Sequence, residues 1–174
     1  MNKKYELVAD ETISFFGKTL FRIKAKMTFG NVKEGELGGY IEKESNLSHR
    51  GNSWVSGDAR VSDDAQVSDN AWVSDNAWVS DDAQVSGDAR VGGNSWVSGD
   101  AQVKSLKDYI VFKNNWSSGR YFIYTKSNKM WRVGCFYGTS QELIDKAYKD
   151  SENSGKHYEA YVNFVKILEE ISNE

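Results

Sequence analysis

The chain is expected to be mainly β: a parallel β-helix in the middle, a β-strand cap before it, and a small α+β (β-β-β-α-α) domain after it. Three observations predict this. From Val55 the sequence runs in unbroken hexads, VSGDAR, VSDDAQ, VSDNAW, VSDNAW, VSDDAQ, VSGDAR, VGGNSW and VSGDAQ, before Val103 opens another. Each hexad alternates small or apolar residues with polar ones through Ala, a variable residue, Val and Ser, then turns on a Gly-Asp, Asp-Asp or Asp-Asn pair. On either side the six-residue period stops and aromatic, strand-like segments take over, with helical spacing only near the end.

Residues 1–36 form the cap. KYELV and TLFRIKAKMTF have strand patterning, a turn falls around Gly17, and Gly30, Gly35, Gly38 and Gly39 mark bends leading into YIEKE. These strands are expected to cover the open first coil, because an uncapped coil leaves a sheet edge and an apolar end exposed.

Residues 37–103 form the β-helix. Six residues are too few for a crossover helix or a hairpin arm, but three such sides close a prism of about 18 residues per coil, stacked on the next at about 4.8 Å. The Val column and the Ala or Ser column then face inward. Ile41 to Leu47 spans one six-residue side, whereas LSHRGNSW adds two residues before Val55, so the first coil is expected to be irregular. An 18-residue period stacks Gln66, Gln84 and Gln102 on one face. Arg60, Trp78 and Trp96 share the second; Trp54, Trp72 and Arg90 share the third, provided HRGNSW keeps phase.

Residues 104–174 form the last domain. DYIVF, RYFIYT and MWRVGCFYG are three aromatic strands separated by NNWSSG and KSNK turns. TSQELIDKAYKD and GKHYEAYVNFVKILEEIS follow with helical spacing, and Thr139 or Ser140 before Glu142 marks a helix start.

An aliphatic first position and a small fifth position with polar residues between resemble the hexapeptide repeat of left-handed parallel β-helices, and that resemblance supplies the expected hand. The wider arrangement, LFRIKA with GGYIEKE, then the repeat, then VGCFYGT and two helices, resembles proteins recurring in phage and prophage genomes. The resemblance implies a cytoplasmic accessory protein of a phage, active in an infected or lysogenic bacterium, that binds or inhibits a host or defence protein.

Composition bounds the alternatives. A formal net charge of −3 offers no overall attraction to nucleic acid or anionic membrane, so no direct nucleic-acid binding is expected. No apolar run near 20 residues and no signal-peptide pattern occurs, which predicts a cytoplasmic chain without a membrane segment. The single cysteine, Cys135, cannot form an internal disulfide and is expected to be a buried small thiol in its strand. The lack of proline fits a solenoid whose strands all donate to their neighbours.

The candidate partner-binding residues are Trp54, Arg60, Trp72, Trp78, Arg90 and Trp96. Stacked indoles closed by a planar guanidinium are stable columns, and Trp and Arg are favoured interface anchors. Two readings stand: terminal segments fold over these columns, or the columns form a flat surface for another protein or a second copy. The order W, R, Q, W, W, Q, R, W reads nearly the same backwards, which hints at a two-fold contact and hence a homo-oligomer, a dimer in the simplest case. The aspartates at one corner are read as turn residues; calcium-binding nonapeptides are missing, and neither a metal nor a cofactor is expected.

Many hexapeptide β-helices are acyltransferases with a histidine base and an extruded loop. Here the hexads run on without a loop, and only His49 and His157 are available, so a non-catalytic module is expected. A small anionic, nucleotide-like ligand is the alternative, held at Gly138, Thr139 and Ser140 by backbone donors of a helix start with Arg120 and Arg132 nearby.

Overall fold

The structure, a computed structural model, describes residues 3–172. It divides into two compact units, Met1–Tyr109 with Thr125–Asn128, and Ile110–Tyr124 with Lys129–Glu174. The expected mainly β architecture holds: a β-solenoid of about 4 turns and two C-terminal helices.

In the first unit, β1 (Tyr5–Phe15) and β2 (Lys18–Ala25) form an antiparallel hairpin, and β3 (Leu37–Ile41) pairs antiparallel with β2. Nine two-residue strands then follow at a spacing of six: β4 (Trp54–Val55), β5 (Arg60–Val61), β6 (Gln66–Val67), β7 (Trp72–Val73), β8 (Trp78–Val79), β9 (Gln84–Val85), β10 (Arg90–Val91), β11 (Trp96–Val97) and β12 (Gln102–Val103). They pair in parallel as three faces, β3-β5-β8-β11, β4-β7-β10 and β6-β9-β12. Arg60, Trp78 and Trp96 are in register on one face; Trp54, Trp72 and Arg90 on another; Gln66, Gln84 and Gln102 on the third. The side-chain columns expected from the 18-residue period are therefore present. Inside, the Val and Ala columns from Val55 to Val103 are all at most 1% exposed.

The first coil is longer, as the eight-residue step before Val55 requires. Ile41 pairs with Val61 and Leu47 with Val67, whereas Val55 pairs with Val73. The extra residues are taken up at the following corner, where the amides of Asn52 and Ser53 both donate to the Asp69 carbonyl. Buried Asn46 replaces missing backbone donors: its side-chain amide donates to the carbonyls of Asp63 (3.0 Å) and Ala65 (2.9 Å). The hairpin closes this end: Tyr5, Ile23, Ala25 and Val32 join the same core, and the Tyr5 hydroxyl donates to the carbonyls of Glu44 and Leu47.

The corners explain the aspartates. The third hexad position, Gly57, Asp63, Asp69, Asp75, Asp81, Gly87, Gly93 and Gly99, has φ between 58° and 64° throughout. That left-handed region admits glycine freely and aspartate more readily than most residues. Each of these aspartates also accepts from the backbone amide one coil ahead: Asp69 from Gly87 at 3.0 Å, Asp75 from Gly93 at 2.9 Å, Asp81 from Gly99 at 2.9 Å, and Asp63 from Asp81 at 3.4 Å. Aspartate thus meets the backbone demand and ties successive coils together. Asp75→Ala is expected to lower stability by about 1–2 kcal/mol through the left-handed backbone and the lost hydrogen bond, with Asp75→Gly less damaging. Urea unfolding of the two variants checks this; an alanine variant as stable as the parent contradicts it.

In the second unit, β13 (Tyr109–Lys113), β14 (Tyr121–Thr125), β15 (Met130–Val133) and β16 (Phe136–Gly138) form a four-stranded sheet in chain order, followed by α1 (Ser140–Asp150) and α2 (Glu152–Ile171). The end residues Tyr109 and Thr125 of β13 and β14 fall in the first unit. Phe122, Trp131, Val133, Leu143, Tyr158, Val162 and Val165 build the core of the second. Two expectations are corrected here. The third predicted strand is two strands, because Gly134 at φ 57° turns the chain and Val133 pairs back onto Phe136. Cys135 consequently lies in the turn and is exposed, not buried. No described helix is long and apolar enough to cross a membrane.

Candidate functional site

The site grows out of one solenoid face. Every hexad from Val55 but VGGNSW has a serine at its second position, and the indoles lean back on these serines: Trp72 Nε1 donates to Ser56 Oγ (3.0 Å), Trp78 to Ser62 (3.2 Å) and Trp96 to Ser80 (3.0 Å). Trp78 and Trp96 stack with centroids 4.0 Å apart and an interplanar angle of 19°. Their polar atoms are satisfied by the scaffold, so the column offers aromatic surface held in a fixed orientation.

The β1–β2 hairpin lays its tip on this column. A register shift between Val8 and Thr12 marks an irregularity in the hairpin. Phe15 meets Trp78 edge-on at 4.6 Å and carries the Arg60 guanidinium over its ring at 4.5 Å. Phe16 stacks on Trp78 at 5.0 Å and reaches Trp96 at 6.4 Å. Beside them Lys18 is ion-paired to Asp63. Burial works to raise the Asp63 carboxyl, but Lys18, the Ser62 hydroxyl and the Asp81 amide outweigh it, and the group stays below the usual carboxylate range. Phe16 is 72% exposed and has φ 47°.

The six predicted partner residues are thus divided. Arg60, Trp78 and Trp96 come together under the hairpin tip; Trp72, half-buried, and Arg90, exposed, lie on a different face. Trp54 has no surface role: it is 0% exposed, enclosed edge-on by Tyr5 at 6.4 Å and Phe29 at 5.5 Å, because the cap folds over the first coil. Phe15 and Phe16 were not predicted. The adjacent aromatics just before the Gly17 turn were the available signal, since a hairpin tip seldom needs two.

At the predicted anion seat, several of the named residues are paired with groups of the chain itself. Thr139 caps α1, and its own amide donates to the Glu142 carboxylate at 2.8 Å, so a side chain of the protein already occupies the place of an anion. Ser140 accepts from Trp131 Nε1 at 3.0 Å, and a Cβ on Gly138 would lie 2.6 Å from the Phe136 ring. The Arg132 guanidinium lies over the Tyr137 ring at 4.7 Å. Arg120 joins Lys146 and Cys135 at a separate open hollow of about 590 Å³ beside the β15–β16 turn.

Each histidine has its Nδ1 set against a backbone group. His49 stacks on Tyr5 at 4.4 Å, its Nδ1 accepts from the Lys4 amide, and burial holds its pKa below the ordinary value. His157 Nδ1 lies 2.8 Å from the Asn153 carbonyl on its own helix. Lys4 beneath the cap donates to the Ser53 carbonyl at 2.7 Å, and burial lowers its pKa to about 8. Among the described residues no group of three or more His, Cys, Asp or Glu is arranged to hold a metal.

The YdcK beta solenoid repeat family model matches residues 65–81 and 83–99, so the chain is similar to that family over part of its repeats. No curated protein matches the sequence.

Proposed function

We propose that the protein is a non-catalytic, phage-type interaction module. The solenoid is the rigid platform, and Phe16 with Arg60, Trp78 and Trp96 is the contact surface for a protein of the bacterial host, reached in the cytoplasm of an infected or lysogenic cell. One observation carries the reading. Phe16 holds a backbone conformation unfavourable for a bulky residue while exposing most of an apolar ring.

Packing against two indoles keeps that ring in place before any partner arrives, which reduces the ordering cost of binding.

A photo-crosslinking residue in place of Phe16 tests this in bacteria, with the same residue at exposed Gln84 on another face as control. The expected result is a discrete adduct with one bacterial protein from position 16 and none from position 84. An adduct of two copies of this chain replaces the host partner by self-association, and equal adducts at both positions, or none, contradict the contact surface.

A further inference from the structure

The helix α2 is apolar on two sides. It turns Tyr158, Val162 and Val165 into the core of its unit, yet on the opposite side Phe164 is 48%, Ile167 55% and Ile171 62% exposed. A surface helix normally carries one apolar stripe, and a second one is the mark of a docking face. With exposed Ala160 the stripe runs Ala160, Phe164, Ile167, Ile171, at spacings of four, three and four, the seam of a helix pair. Phe112 on β13 meets the Phe164 ring edge-on at 6.4 Å and braces it from the sheet side.

The face carries its own complement. Lys156, Asn163 and Glu170, all exposed, follow its edge seven residues apart, basic near the start of the helix and acidic near its end. Two copies in parallel would set Lys156 against Lys156 and Glu170 against Glu170. Turned antiparallel about an axis level with Val162 and Asn163, they bring Lys156 beside the partner's Glu170, twice. The same axis sets the Phe164 ring over the partner's Ala160, large against small, also twice. One two-fold rotation thus satisfies both charge and packing, which a face shaped for an unlike protein has no reason to do. Lys156 holds Glu152 at 2.7 Å, but both are exposed and such a pair is readily exchanged.

We propose that α2 joins two copies of this chain as an antiparallel helix pair through Ala160, Phe164, Ile167 and Ile171. Its 20 residues span about 30 Å, so the interface falls at the small end for specific dimers, below about 1,200 Å² in total, and a dimer of micromolar strength is expected. The proposal goes beyond the contact surface on the solenoid and does not rest on it.

The test is sedimentation velocity of the full chain from about 1 to 200 µM, where a shift from monomer to dimer and no further is expected. Ile167→Glu and Ile171→Glu are each expected to weaken the dimer at least about tenfold by placing a carboxylate in the seam. Both positions are exposed, so the variants should melt like the parent at dilution. Lys156→Glu and Glu170→Lys should each weaken it at least about threefold, and the two together should restore it. A chain that stays monomeric leaves the face to a different occupant and overturns the proposal. Dimers unchanged by Ile167→Glu and Ile171→Glu, a double charge reversal no better than the single ones, or open-ended association also overturn it. Loss of the dimer in Phe16→Ser but not in Ile167→Glu would place the self-contact on the solenoid instead.

Discussion

Trp54→Ala is expected to destabilise the first unit by about 3–5 kcal/mol, a large share of the stability of a typical domain. The indole is 0% exposed and sits where the cap meets the first coil, between Tyr5, Phe29 and the Val55 side. Removing it opens a cavity that β-strands on all sides cannot collapse into. Among the described residues its buried Nε1 has no hydrogen-bond partner, unlike Trp72, Trp78 and Trp96, each of which donates to a serine. Trp54→Phe, which keeps most of the ring and removes the unpaired donor, is therefore expected to cost less than about 1.5 kcal/mol. Urea unfolding monitored by circular dichroism separates the two; equal losses would mean that the polar atom, not the packing, matters.

Gly38→Ala comes next, with an expected loss of about 3 kcal/mol. A Cβ there would lie 2.5 Å from Ile23 Cγ1, 2.5 Å from the Val55 carbonyl oxygen and 2.7 Å from Trp54 Cζ2. The carbonyl belongs to the backbone and Trp54 is enclosed, so neither can move aside cheaply. The contrast is Gly93→Ala in the last coil, where nothing lies within 4 Å and only the left-handed backbone, at φ 64°, is strained. Melting temperatures of the two variants are expected to rank Gly38→Ala well below Gly93→Ala.

The columns were legible because a strict six-residue period leaves one consistent register once three sides close a turn. The eight-residue step before Val55 likewise announced the longer first coil. What the aspartates do was not legible: a carboxylate reaching the amide one coil ahead depends on the stacking distance and on a left-handed corner, and the letters alone suggest only a turn. The fold-back of Phe15 and Phe16 was hidden because it is a tertiary contact between segments some sixty residues apart in sequence, Phe16 and Trp78. Gly134 was in plain view, but an apolar run on both sides made RVGCFYG look like one strand. In the same way TSQE showed a helix start, yet only the geometry reveals that Glu142 turns back to accept from the Thr139 amide and hydroxyl.

Phe16, 72% exposed, stands at a hairpin tip packed on the Trp78–Trp96 column. A platform of this kind depends on side chains one coil apart being neighbours, and that can be measured without a partner. With the exposed Cys135 replaced by serine, the pair Gln66→Cys and Gln84→Cys should close a disulfide on mild oxidation, since adjacent strands about 4.8 Å apart lie within disulfide reach. Gln66→Cys with Arg90→Cys, on different faces, should stay reduced. Closure of the second pair in place of the first would contradict the coil on which the proposed contact surface is built.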